Sequence, residues 1–144
     1  MAEILDWLTG RGLSACDDPG LLDAAYDRDE RYAGTALIAL TLNHDDPLVV
    51  LPRIRCGLRS GRPQTRANAL QCLGHLARLH GLVDAGSLGL LHRALRNHTP
   101  VDCRYRIHGY ADSAADDIAT FAARRQLPRW LRRSRPGPRS RHGH

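Results

Sequence analysis

The stretch from Asn68 to Asp84, NALQCLGHLARLHGLVD, places two histidines, a cysteine and an arginine within one run of helical spacing. Metal binding by a helix needs imidazoles at i and i+4, so that both rings leave the same face. His75 and His80 are five residues apart, which turns them roughly 140° from each other at 3.6 residues per turn. His142 and His144 lie near the chain end, where no third ligand is fixed beside them. No metal and no cofactor is expected.

Carboxylates offer a second kind of chemistry. Asp17-Asp18 and Asp45-Asp46 stand directly before Pro19 and Pro47, where an acidic side chain accepts the unpaired N–H groups of a helix start. Asp112 and Asp116 share a helix face, with Asp117 beside them. Glycoside hydrolysis needs two carboxylates on opposite sides of a sugar-sized cleft, and two on one helix do not flank a bond. There is no G-x-S-x-G elbow, phosphate loop or dinucleotide fingerprint. The expectation is a protein without catalytic residues.

Those side chains are positioned by helices. Sustained alternation is absent along the 144 residues, and aromatics make up only 5%, so the core must be Leu, Ala, Ile and Val. A short helix is expected over AEILDWL, stopped by Gly10 and Gly12. Another opens at Asp18-Pro19 and a longer one covers DERYAGTALIALTLNHDD. Asp46-Pro47 starts LVVLPRIRCGL, in which Pro52 should bend the helix or delay its start. Pro63 opens the helix that ends at Gly81, Asp84 caps the next, and Thr99-Pro100 opens a last one, broken near Gly109, to about Arg125.

Short and long helices therefore alternate. DDPLVVLPRIRCGL aligns with VDAGSLGLLHRALR at an offset of 40, bringing Val50, Leu51 and Arg53 onto Leu90, Leu91 and Arg93. A period of about 40 residues built from two helices is that of HEAT-type units, which bury their apolar faces only by stacking. The expected fold is all-α, a short α-solenoid of HEAT-like helical pairs over residues 1–125. Residues 126–144, rich in Arg and Pro, are expected to form a flexible, disordered basic tail.

Charge follows the same division. All 21 basic residues are arginine; eight lie in 124–144 with no acid, leaving 13 against 15 acids in the rest. The net charge of +6 thus belongs to the tail, and the body is slightly acidic. Cys16, Cys56, Cys72 and Cys103 show no C-x-x-C spacing, so buried reduced thiols are expected in a cytoplasmic protein. The first residues lack a basic n-region and a cleavage site, and no run of about 20 apolar residues suggests a membrane span.

LQCLGHLARLHGLVD, followed after one more helix by ADDIATF, resembles a family of small bacterial HEAT-repeat proteins. Their pattern runs L-G-H-L-A-R-[IL]-H-G-x-[LV]-D and then A-x-D-D-I-x-x-F. The likeness extends from Tyr32 to Phe121; RYRIHGYADS is an insertion against it, and the Arg-rich tail an addition. The resemblance implies a single-domain, non-enzymatic protein-binding module, and some related small HEAT proteins are immunity partners of bacterial toxins. In HEAT pairs the second helix lines the concave wall.

On a helical wheel, Ala69, Cys72, Leu73, Leu76, Ala77 and Leu79 form the apolar stripe. Gln64, Asn68, Gln71, His75 and Arg78 recur on the other side. The expected partner-binding residues are Asn68, Gln71, His75 and Arg78, with Asp112, Asp116 and Asp117; a merely solvated face is the plain alternative. The alternative function is nucleic-acid binding through the tail, including Trp130, and the basic cluster Arg53, Arg55, Arg59, Arg62 and Arg66. A duplex-cradling repair enzyme would want more aromatics than Tyr105 and Tyr110. The type of protein partner and the oligomeric state are not legible.

Overall fold

The computed structural model describes residues 6–135, and among them the chain is all-helical. Its helices are α1 (Pro19–Asp27), α2 (Ala33–Asn43), α3 (Pro47–Leu58), α4 (Pro63–His80), α5 (Ala85–Ala94), α6 (Ile107–Phe121) and α7 (Arg129–Ser134). Single 3-10 turns occupy Leu13–Ala15 and Arg124–Gln126.

The punctuation seen in the sequence sets most of these boundaries. Asp18 accepts from the Gly20 N–H at 2.9 Å, Asp46 from Leu48 at 2.9 Å and Asp84 from Ser87 at 3.0 Å. Each carboxylate thus satisfies a donor at a positive helix end. Gly81 closes α4 in the left-handed region at φ 62, which lacks the Cβ penalty other residues meet there. Pro52 lies inside α3 without delaying its start. Pro52 leaves the Leu48 carbonyl without its i+4 donor, and both residues are on the exposed side of the helix.

Helices α2, α4 and α6 lie side by side in that order, and α1, α3 and α5 pack behind them. Each of the back helices also contacts the front helix that follows it in the chain. The central α4 is covered by α2, α3 and α6, and its Leu70, Cys72, Leu73, Leu76 and Ala77 are almost wholly buried. Close approach relies on a missing side chain at Gly57, where a Cβ would come within 3.0 Å of Ala69 and Leu37 and 2.9 Å of the Tyr26 hydroxyl. That hydroxyl donates to the Arg53 carbonyl at 2.9 Å, tying α1 to α3.

Several expectations need correction. Residues 7–9 form a turn, not a helix, because the Asp6 carboxylate accepts from the Leu8 and Thr9 N–H groups; residues 1–5 lie outside the described part. Thr99-Pro100 does not open the last long helix. The Asp102 side chain accepts from Arg104 and Tyr105 at 2.8 Å each, closing a loop in competition with helix. Helix α6 starts only at Ile107 and continues through Gly109 unbroken. Cys16 and Cys72 are buried, whereas Cys56 and Cys103 are exposed thiols.

The largest correction concerns the tail. Residues 126–135 are not disordered: Leu127 and Leu131 sit in the core, and α7 packs on α6. Trp130 stacks on His92 of α5, centroids 4.1 Å apart and planes within 4°. Two leucines four residues apart and one indole suffice to anchor a single turn and a half of helix, in spite of the surrounding arginines. The structured unit therefore extends beyond residue 125; residues 136–144, the remainder of the expected tail, lie outside the described part.

Candidate functional site

Between α4 and α6 opens a cleft of about 480 Å³. Gln71 and His75 enter it from α4, Tyr110, Ser113 and Asp117 from α6, and Tyr105 from the loop before α6. One helical turn separates Gln71 from His75, and another separates Ser113 from Asp117, so each pair is carried on one face. The helices meet closely because Gly74 faces Asp117; a Cβ there would lie 2.6 Å from a carboxylate oxygen. Tyr105 and Tyr110 form one wall, edge to face with centroids 6.0 Å apart.

The hydrogen bonds already made define what the cleft has left to offer. The Arg78 guanidinium approaches His75 Nδ1 at 2.5 Å. A guanidinium only donates, so Nδ1 carries the lone pair and the ring proton sits on Nε2. Burial, then the Arg78 charge, pushes the His75 pKa below its ordinary value, against an opposing pull from Asp117. Gln71 Oε1 accepts from Asn68 Nδ2 at 3.0 Å, leaving the Gln71 amide N–H groups as donors. The cleft thus presents donors on α4 and a carboxylate acceptor on α6, beside one aromatic wall. Burial raises the Tyr110 pKa, aided by Asp102 and Tyr105, so its phenol stays protonated and able to donate.

A serine, a histidine and an aspartate share this cleft without forming a nucleophile relay. That relay requires a carboxylate on the histidine Nδ1 and a hydroxyl on Nε2. Here Arg78 occupies Nδ1, and neither Ser113 nor Asp117 bonds to the ring.

Of the expected partner-binding residues, the structure brings Gln71, His75 and Asp117 together, with Arg78 fixed at the rim through His75. Asn68 is corrected: it is buried at 8% exposure against Gly34 of α2, where the missing side chain leaves room for its amide. Leu79, assigned to the apolar stripe, is instead 53% exposed, although Leu76 and Ala77 of the same turn are buried. Asp112 and Asp116 lie outside the cleft and are bound by Arg135, which donates to Asp116 at 2.7 Å and also pairs with Asp112. Tyr110 and Ser113 were not foreseen as site residues. The spacing of Gly109, Ser113 and Asp117 carried the signal, hidden by the break expected near Gly109.

The basic cluster is largely neutralised within the fold. Arg53 pairs with Asp23 at 2.8 Å, Arg62 with Asp29 at 2.9 Å, and Arg55 with Asp84. These links join α3 to α1 and α5, and the start of α4 to the loop after α1. Only Arg59 and Arg66 of the five make no ion pair among the described residues. No helix among the described residues is long and apolar enough to cross a membrane. No family model, no curated protein and no solved structure matches the chain.

Proposed function

We propose that this chain is a HEAT-like helical-repeat module that binds a protein partner through the α4–α6 cleft. In this reading α1–α2, α3–α4 and α5–α6 are three stacked repeats of a short solenoid, and α2, α4 and α6 line its working face. The family resemblance around Leu70–Asp84 adds a role: occluding the surface of a toxin as its immunity protein. Exposed free thiols at Cys56 and Cys103 suit a reducing, cytoplasmic setting.

One observation carries the choice of partner class. The cleft juxtaposes amide and imidazole donors, an aspartate acceptor and two tyrosines. This mixture matches peptide groups and polar side chains, and tyrosine is favoured at protein interfaces because it combines contact area with a polar tip. A phosphate backbone would meet Asp117 unfavourably. The competing nucleic-acid reading is weakened further by the carboxylates already bound to Arg53, Arg55 and Arg62.

The test is site-specific photo-cross-linking in cells that make the protein. Benzoylphenylalanine replaces Gln71 in one sample and the distant, exposed Arg28 in another. The expected result is one discrete protein adduct from position 71, resistant to nuclease and absent from position 28. Nuclease-sensitive adducts, or the same adducts from both positions, would overturn the reading.

A further inference from the structure

A second cleft, of about 410 Å³, lies between the α3–α4 link and α5. Arg59, Arg66 and Arg93 line it, with Ser60 and Asn97. None of the three guanidiniums lies within ion-pair distance of a carboxylate among the described residues, and no acidic residue lines the cleft. Arg59 stands on the ridge to a neighbouring cleft that holds Asp29 and Glu30, but Arg62 and Arg28 occupy those carboxylates.

Each of the two polar side chains already accepts one hydrogen bond from the backbone. Ser60 Oγ accepts from the Arg62 N–H at 3.1 Å, and Asn97 Oδ1 accepts from Thr99 at 2.9 Å. Each keeps its donor free: the serine O–H and the asparagine NH₂. Every polar side chain around this cleft can therefore donate, and none is a carboxylate. The opposite holds on the α4–α6 side, where donors and a carboxylate mix. Beneath the arginines the lining is aliphatic, with Leu58, Leu70 and Leu90. A volume of this order falls within the roughly 300–1,000 Å³ of small-molecule sites.

We propose that this cleft binds a phosphate-bearing organic anion of nucleoside-diphosphate size. Its phosphates lie among Arg59, Arg66 and Arg93, and its organic part lies over the leucines. Three cations match the charge of a diphosphate, and guanidiniums bind phosphate oxygens in pairs. The aliphatic floor distinguishes such a ligand from inorganic phosphate, and the absence of aromatic side chains from the lining argues against a nucleic-acid strand, whose bases stack on such groups. Arg93 comes from α5, beyond the Arg53–Arg66 cluster, so folding alone completes the site.

The experiment is calorimetric titration of the full chain with adenosine diphosphate, inorganic pyrophosphate and a single-stranded oligonucleotide in parallel. The proposal expects saturable one-to-one binding of adenosine diphosphate, tighter than pyrophosphate. Arg66→Gln and Arg93→Gln should each weaken it by about tenfold, the loss of one charge-assisted contact. Arg96→Gln, one turn away and outside the lining, should leave it unchanged. Circular dichroism confirms that each variant is folded. No saturable binding, equal affinity for pyrophosphate, equal loss in Arg96→Gln, or an oligonucleotide bound more tightly than the diphosphate would each overturn the proposal.

Discussion

Arg135 Nε donates to Asp116 Oδ1 at 2.7 Å, and the same guanidinium also pairs with Asp112. The ion pair ties the end of α7 back to α6, while Leu131 beneath it is fully buried. These two contacts differ greatly in strength. Leu131→Ala should cost about 2–5 kcal/mol, as a buried leucine does. Arg135→Gln should cost no more than about 1 kcal/mol, because Asp112 and Asp116 are well exposed. Urea unfolding of both variants checks the ranking, and an equal loss in the two would show that α7 is held by charge.

Asn68 and Gln71 are bonded to each other yet sit in different surroundings. Asn68→Ala removes a buried amide and leaves a void beside Gly34, so a loss of about 1–3 kcal/mol is expected in thermal or chemical unfolding. Gln71→Ala, on the exposed side, should change stability by about 0.5 kcal/mol or less. Its effect belongs to binding.

Burial and Arg78 hold the His75 pKa below 6.5 in the folded protein. The unfolded chain then takes up the proton first, so His75 contributes stability that is present above about pH 6.5 and lost as pH falls through the folded value. Proton NMR titration of the ring should give a midpoint below 6.5. Asp117→Asn, by removing the group that opposes this shift, should lower it further, and Arg78→Gln should raise it. A midpoint unaffected by either change would mean that neither charge reaches the ring.

Asp84 caps α5 through Ser87 and also binds Arg55 of α3. Asp84→Ala should therefore exceed an ordinary cap loss of about 1 kcal/mol, whereas Arg55→Gln should fall below it. A double-mutant cycle in urea measures the difference as the coupling between the two.

Much of the fold was legible because its helix ends are written in local chemistry. Asp18-Pro19, Asp46-Pro47, Pro63 and Gly81 act within one turn of chain, and each lies where its type predicts. The α6 start was not, since Pro100 resembles a helix opener and only the Asp102 turn displaces it. The packed tail was hidden for a different reason. Leu127, Trp130 and Leu131 are three anchors diluted among arginines, and their value depends on His92 and α6, distant in sequence. In the site, Gln71 and His75 were read from the outward face of α4. Asn68, about 20° further round the same wheel, differs because α2 covers it through Gly34. A wheel shows which residues share a face, but the edge of that face is set by a neighbour.

The central claim is that the cleft holding Gln71, His75 and Asp117 grips a protein. The most direct measurement is the affinity for the partner cross-linked at position 71, for three proteins: the full chain, Gln71→Ala/His75→Ala, and a chain ended at residue 135 so that α7 remains. The account predicts a loss of about 2 kcal/mol or more for the double variant, the scale of an interface hot spot, and no change for the shortened chain. Full affinity in the double variant, with loss on shortening, would contradict it and move the binding site to the basic end.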